Sequence, residues 1–148
     1  MSEGLSVRQR WAHIAQGMQS DMVGYRHMQS LMQTQFHAAL RHDATAMQDI
    51  AERIAAQAQL LEQSSQQRVA HAKALLPTHT PVSMTAVFAL LQGPLQQQLQ
   101  TLWQQLEMAV QQCKALNVRN CQLIMEQAQI MRQVLGATAA DEGIYGPR

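Results

Sequence analysis

The sequence predicts an all-α protein, an elongated antiparallel three-helix bundle or coiled coil with a flexible C-terminal tail. Apolar residues recur at steps of three and four over long segments, which is the period of one helix face. β-Branched residues are few and never alternate with polar residues over a useful length. Charged residues make up only 14%, and Gln, an uncharged helix former, supplies much of the polarity. The 148 residues suit one helical-bundle domain, predicted over 1–136 and followed by a tail over 137–148.

The first predicted unit is a helical hairpin over about 7–76. Ser6 and Gln9 have the spacing of a capping box at its start, and Asp43 suits the N-cap of the second helix. The stripe of the first helix is Trp11, Ile14, Met18, Met22, Tyr25, Met28, Met32, Phe36 and Ala39. The stripe of the second is Met47, Ile50, Ile54, Ala58, Leu61, Ser65, Ala72 and Leu76. Because few residues separate two long helices and Pro77 stops the second, the helices are expected to pack antiparallel.

The second half is predicted to hold a linker over 77–83 and the last helices over about 84–135. Pro94 fits either the first residue of a new helix or a kink in a continuous one. Gly136 is expected to cap the last helix, and the small, polar residues beyond it are expected to be mobile. The long stripe is Leu95, Leu99, Leu102, Leu106, Val110, Cys113, Asn117, Asn120, Ile124, Ala128, Met131 and Leu135.

Composition argues against nucleic-acid and membrane partners. Lys and Arg total 11 against 10 acids, with no basic cluster of the kind that grips phosphates. The longest apolar run, Ala86–Leu91, is far shorter than the about 20 residues that span a bilayer, and the N-terminus has no secretory signal pattern. Cys113 and Cys121 would lie about 12 Å apart along one helix, too far for a disulfide. Reduced thiols in the cytoplasm are therefore expected.

The sequence predicts no enzyme, no catalytic residue, no metal site and no cofactor. It contains no phosphate-binding Gly-rich loop and no GxSxG, HExxH or CxxC motif. The six histidines do not fall at metal-ligand spacing with a carboxylate or a cysteine. A small regulatory enzyme would need a convergent polar pocket, for which the sequence offers no candidate.

Three features admit a binding interpretation beside a structural one. The ten methionines either fill the core or form a pliable surface for partner helices. Asn117 and Asn120 interrupt the last stripe, where they either set helix register or bond a docked protein. The segment Ile144-Tyr145-Gly146 is bulky for its surroundings, and it either contacts the bundle or serves as a short docking motif.

In their order along the chain, these features resemble the FlgN family of flagellar type III export chaperones. Asn117 and Asn120 resemble a recurring Asn pair of its last helix, and Ile144-Tyr145-Gly146 resembles its tail. Arg68 falls where such hairpins often carry a basic residue. The opening hairpin is similar at Tyr25, Met28, Leu31, Phe36, Leu40, Asp43, Met47, Ile50 and Ile54, and the last helix at Leu102, Leu106, Ile124 and Met131.

The resemblance implies a non-enzymatic, cytoplasmic export chaperone. Such proteins bind C-terminal helical segments of the hook–filament junction proteins FlgK and FlgL and deliver them to the export gate protein FlhA. By the same resemblance, Ile144, Tyr145 and Gly146 are expected to dock on the gate, with Tyr145 as the central contact. The expected client-binding residues are Leu102, Leu106, Val110, Cys113, Asn117, Asn120, Ile124 and Met131.

The alternative hypothesis is a structural or self-associating coiled-coil adaptor that has no client. In that case the same stripe would serve homo-oligomerisation. The sequence leaves open whether the bundle closes on itself or pairs with a second copy as a homodimer.

Overall fold

The computed structural model describes residues 4–141, which form four α-helices and no strand. The predicted all-α class is therefore confirmed. Three of the helices are long, and the short third one connects the second to the fourth. They are α1 Val7–Leu40, α2 Ala44–Leu75, α3 Met84–Phe88 and α4 Gly93–Asp141.

Helix α1 begins with the predicted capping box. The backbone N–H of Gln9 donates to Ser6 Oγ at 3.1 Å, and the backbone N–H of Ser6 donates to Gln9 Oε1 at 2.8 Å. These two bonds satisfy donors that the first turn of a helix cannot satisfy from within.

The connection between α1 and α2 is a compact turn in which Asp43 forms hydrogen bonds to the end of α1 and to the start of α2. Its backbone N–H donates to the Ala38 carbonyl at 3.0 Å, and that of His42 donates to the Ala39 carbonyl at 3.0 Å. This is the Schellman pattern, and it places His42 in the left-handed region at φ 55°. The Asp43 carboxylate accepts from Ala46 N at 3.0 Å and so caps α2, as predicted.

Helix α1 lies between the other two long helices. It packs against both α2 and α4, whereas in the described part of the chain no Cα atom of α2 lies within 8 Å of one of α4. Hydrogen bonds join Cys113 to Tyr25 and Gln127 to Ala39, so α4 runs parallel to α1. Helix α2 therefore runs antiparallel to both, and α3 returns the chain at the open end of the hairpin.

The apolar core is concentrated where α3 closes that open end. Phe88 and Val87 of α3 are almost fully buried there. A smaller cluster, nearer the turn, consists of Met28, Met32, Leu61 and Cys113. The main cluster consists of Ile14, Met18, Ala72, Leu76, Met84, Val87, Phe88, Leu99 and Leu106. Since burying one such large side chain stabilises by about 1.5–3 kcal/mol, the end closed by α3 holds most of the apolar stabilisation.

The last helix extends further than predicted. Helix α4 continues through Gly136 to Asp141, so the predicted end at Leu135 and the predicted tail up to Asp141 are wrong. A glycine inside a helix costs only about 1 kcal/mol, and the Ala-rich residues that follow are strong helix formers. Pro94 lies in the first turn of α4 and causes no kink inside a longer helix. Leu76 is extended, as expected before Pro77, and α2 ends at Leu75.

Candidate helix-binding site on α4

Side chains spaced seven residues apart on α4 form hydrogen bonds to the backbone of α1. Each of three α4 side chains donates a hydrogen bond to a carbonyl oxygen of α1, and the three acceptors are also seven residues apart. The pairs are Cys113 with Tyr25 at 3.6 Å, Asn120 with Met32 at 2.7 Å, and Gln127 with Ala39 at 2.8 Å. A seven-residue repeat keeps these contacts on one side of both helices, so the pairs define one parallel register.

Asn120 is the most buried of these polar groups, at 1% exposure. Its Nδ2 also donates to Gln35 Oε1 at 2.8 Å, and its Oδ1 accepts from Arg119 Nε and Nη2 at 3.2 and 3.1 Å. The Arg119 guanidinium in turn lies 3.8 Å from the ring centre of Phe36. Asn120 is thus fully engaged within the chain, as a register-setting polar residue would be.

The eight residues expected to bind a client differ in exposure. Leu106, Cys113 and Asn120 are buried, Leu102, Val110 and Ile124 are half-buried, and Asn117 and Met131 are exposed. Much of the stripe is therefore covered by the hairpin in this structure. Of its two exposed members, Asn117 lies within the stretch of α4 that bonds α1, and Met131 lies beyond it. The expected gate-docking residues Ile144, Tyr145 and Gly146 lie outside the described residues.

Among the described residues, Gln127 makes the last hydrogen bond from α4 to α1, and helix α4 continues past this residue to Asp141. We call residues 128–141 the distal segment; it is about 21 Å long. Four large apolar side chains in it are between 54% and 60% exposed, and we call them the distal face: Ile130, Met131, Val134 and Leu135. At about 100° per residue, all four lie within about 80° of the direction of Asn120, which points at α1. The side of α4 that α1 covers therefore stays apolar after α1 ends at Leu40.

A buried ion pair joins α1 and α2, and the residue patterns did not reveal it. Arg68 Nη1 of α2 lies 2.6 Å from Asp21 Oδ2 of α1, with side chains 10% and 5% exposed. The Arg68 guanidinium also lies 5.2 Å from the ring centre of Trp103 of α4. Burial, and secondarily the charge of Asp21, raises the pKa of the neighbouring Tyr25. The one sequence feature that could have indicated the ion pair is Asp21 itself, an acid three residues after Met18 on the apolar side of α1.

Two histidines meet where α1 begins and α2 ends. The rings of His13 and His71 stack with centres 5.0 Å apart, and Arg10 Nη1 lies 3.4 Å from His71 Nδ1. Burial, then the positive charges of His13 and Arg10, lower the pKa of His71. Within residues 4–141, no group of three or more His, Cys, Asp or Glu residues is placed to hold a metal ion.

Within residues 4–141, these features describe an all-α protein whose longest helix leaves one apolar face exposed, as in proteins that bind other helices. No helix in the described range is long and apolar enough to cross a membrane. The model of the FlgN protein family matches residues 12–148, and the chain belongs to that family. Membership indicates a flagellar export chaperone, a non-enzymatic class that binds flagellar proteins. Comparisons with curated proteins and with solved structures gave no match.

Proposed function

We propose that this protein is a cytoplasmic chaperone that binds C-terminal helical segments of the junction proteins FlgK and FlgL and delivers them to the export gate protein FlhA. The match to the FlgN family over residues 12–148 is the observation that carries this proposal. It covers α4 as well as the hairpin, so the helix with the exposed apolar side chains lies inside the matched region.

The client contact is proposed on α4. An amphipathic client helix would remove apolar surface from water there, at about 25 cal/mol per Å² before ordering costs are subtracted. The expected client residues Leu102, Val110, Asn117, Ile124 and Met131 have side chains that are exposed or half-buried in the free protein. Contact with Leu106, Cys113 or Asn120 would require α4 to leave α1, because these three side chains are buried.

The gate contact is proposed for Ile144, Tyr145 and Gly146. These residues follow the distal segment, so client and gate would meet the protein at neighbouring but separate stretches. An aromatic anchor in a partner's pocket is a common way for a short segment to supply binding energy. With the client tethered next to the gate contact, delivery would not require a second encounter in solution.

The proposal is tested by titration calorimetry of the full chain with purified FlgK and, separately, FlgL. We expect a saturable interaction with each protein and a negative heat-capacity change, since apolar surface is buried. The matched control is the same junction protein without its C-terminal helical segment, which should not bind. Binding that survives this truncation would show that the client segment has been assigned incorrectly.

A self-associating protein without a client is the second candidate function. The exposed distal face favours it, because a second copy could cover the same apolar side chains. Light scattering of the protein alone separates the two candidates. A stable oligomer that binds neither junction protein would support self-association and contradict the chaperone proposal.

A further inference from the structure

We infer that the distal face binds a partner's amphipathic helix in the position that α1 would occupy if it continued beyond Leu40, over about four helical turns. This inference rests on the proposed function and makes it more specific. The partner is a helix with apolar residues at steps of three and four, and the α1–α4 bundle stays closed while it binds.

The first support is continuity with the α1–α4 interface. The α4 residues that bond the α1 backbone are seven apart, and the next position in that series after Gln127 is Val134. Because α1 ends at Leu40, it has no residue opposite Val134, which is 54% exposed. The distal face is thus the same helix surface that α1 covers elsewhere, which indicates that its natural occupant is another helix.

The second support is the chemistry of the distal face. Where α4 packs on α1, its apolar contacts alternate with polar side chains that donate to backbone carbonyls of α1. The next position in this seven-residue series is Val134, which is apolar and has no such donor. Along α4, the charged side chains next to the distal face are Glu126 and Arg132, which have opposite signs and each lie about 120° around the helix from Asn120. The partner is therefore selected by its apolar stripe, and the flexible Met131 can adapt to stripes of different shape.

The third support is that docking needs no rearrangement of the hairpin. The hydrogen bonds of Asn120 and Gln127 to α1 lie before the distal segment, and the main core lies at the opposite end of the molecule. The segment from 128 to 141 accommodates about four turns of a partner helix. Docking therefore leaves the buried stripe residues Leu106, Cys113 and Asn120 in contact with α1.

The inference is tested with Val134→Asp and its matched control Gln129→Asp. Both positions are exposed in the same helix and gain the same charge, but Gln129 lies on the side opposite Asn120, about 180° around the helix. With FlgK as the titrant, we expect Val134→Asp to weaken binding by more than about tenfold, because docking would bury an unpaired carboxylate. Gln129→Asp should change the affinity by less than about twofold. Circular dichroism and urea unfolding of both variants should match the unsubstituted protein, since both side chains are exposed.

The outcomes separate this inference from the function on which it rests. If the unsubstituted protein binds FlgK and Val134→Asp binds equally well, the distal face is not the docking site, but the chaperone function stands. If the unsubstituted protein binds no junction protein, both fail. If Val134→Asp instead converts an oligomer of the free protein into a monomer, the distal face binds a second copy and the inference is overturned.

Hydrogen exchange tests whether the bundle stays closed. Amides of α1 between Tyr25 and Ala39 should keep their protection when FlgK is bound, while amides of α4 from 128 onward should become more protected. Loss of protection in α1 on binding would show that the client displaces α1 from α4, and it would overturn the docking arrangement proposed here.

Discussion

Asn120 of α4 donates a 2.7 Å hydrogen bond from Nδ2 to the backbone carbonyl of Met32 in α1, and this buried contact sets the register of the two parallel helices. The same side chain bonds Gln35 and Arg119, so all its polar atoms have partners. Register matters for function, because it determines which part of the α4 stripe α1 covers and where the distal face begins.

Replacing Asn120 with Ala is expected to lower the free energy of unfolding by about 1–3 kcal/mol. The substitution removes buried hydrogen bonds and leaves a small cavity beside α1. Urea unfolding measures the change. Asn117→Ala is the matched control on the same helix, and because Asn117 is exposed, it should change stability by less than about 0.5 kcal/mol. Equal losses for the two variants would contradict the assignment of Asn120 to the register.

Replacing Arg68 with Ala is expected to lower the free energy of unfolding by about 3–5 kcal/mol, because it leaves the Asp21 carboxylate buried without its partner. The control is Arg53→Ala, which removes an exposed pair between Arg53 Nε and Asp49 Oδ2 at 3.2 Å. Its effect should be under about 1 kcal/mol, since solvent screens such pairs. The double variant Asp21→Asn with Arg68→Ala should recover part of the loss, and no recovery would mean that Arg68 acts mainly through its packing on Trp103.

Stability is expected to fall as the pH drops through the region below about 6.5, the ordinary pKa of histidine. The pKa of His71 is lowered in the folded state, so the unfolded chain takes up its proton at a higher pH than the folded protein does. The unfolded state then binds more protons in this range, and acid favours unfolding. Urea midpoints at about pH 7.5 and 5.5 measure the effect.

The variant His71→Gln should show a smaller loss between those two pH values, because it removes the group that resists protonation. His27→Gln, on the exposed side of α1, serves as the control and should keep the full pH dependence. A loss of the same size in all three proteins would mean that His71 does not carry the effect.

Two glycines of α1, seven residues apart, are expected to differ in how replacement by Ala changes stability. At Gly17 the nearest atom to an added Cβ is Ser64 Oγ at 4.0 Å, so Gly17→Ala should stabilise by about 0.5–1 kcal/mol through helix propensity. At Gly24 the added carbon would lie 2.9 Å from Leu61 Cδ2 and 3.0 Å from Gln57 Nε2. Moving the buried Leu61 should cancel the propensity gain, so Gly24→Ala is expected to be neutral or destabilising.

Thermal unfolding of the two variants side by side measures this difference. Stabilisation of both by the same amount would show that α1 and α2 are not closely packed at Gly24.

The local features of the fold were predictable because they depend on neighbours in sequence. The side chains of Ser6 and Asp43 each accept a hydrogen bond from the backbone N–H three residues further along the chain, and both caps were predicted. The family resemblance drawn from the residues is confirmed by the match over residues 12–148. The end of α4 was missed because Gly136 suits a C-terminal cap, whereas the helix continues through it at a cost of only about 1 kcal/mol.

What the sequence determined by itself is the all-α class, the limits of α1 and the positions of the apolar stripes, since helix period and caps are properties of short stretches of chain. Tertiary structure alone decided which surface covers each stripe. A stripe shows that one side of a helix is apolar, but the length of α1 relative to α4 decides that Asn120 is buried and Met131 is exposed. Likewise, the pairing of Asp21 with Arg68 across 47 residues exists only because the hairpin brings two distant turns together, and no local pattern encodes it.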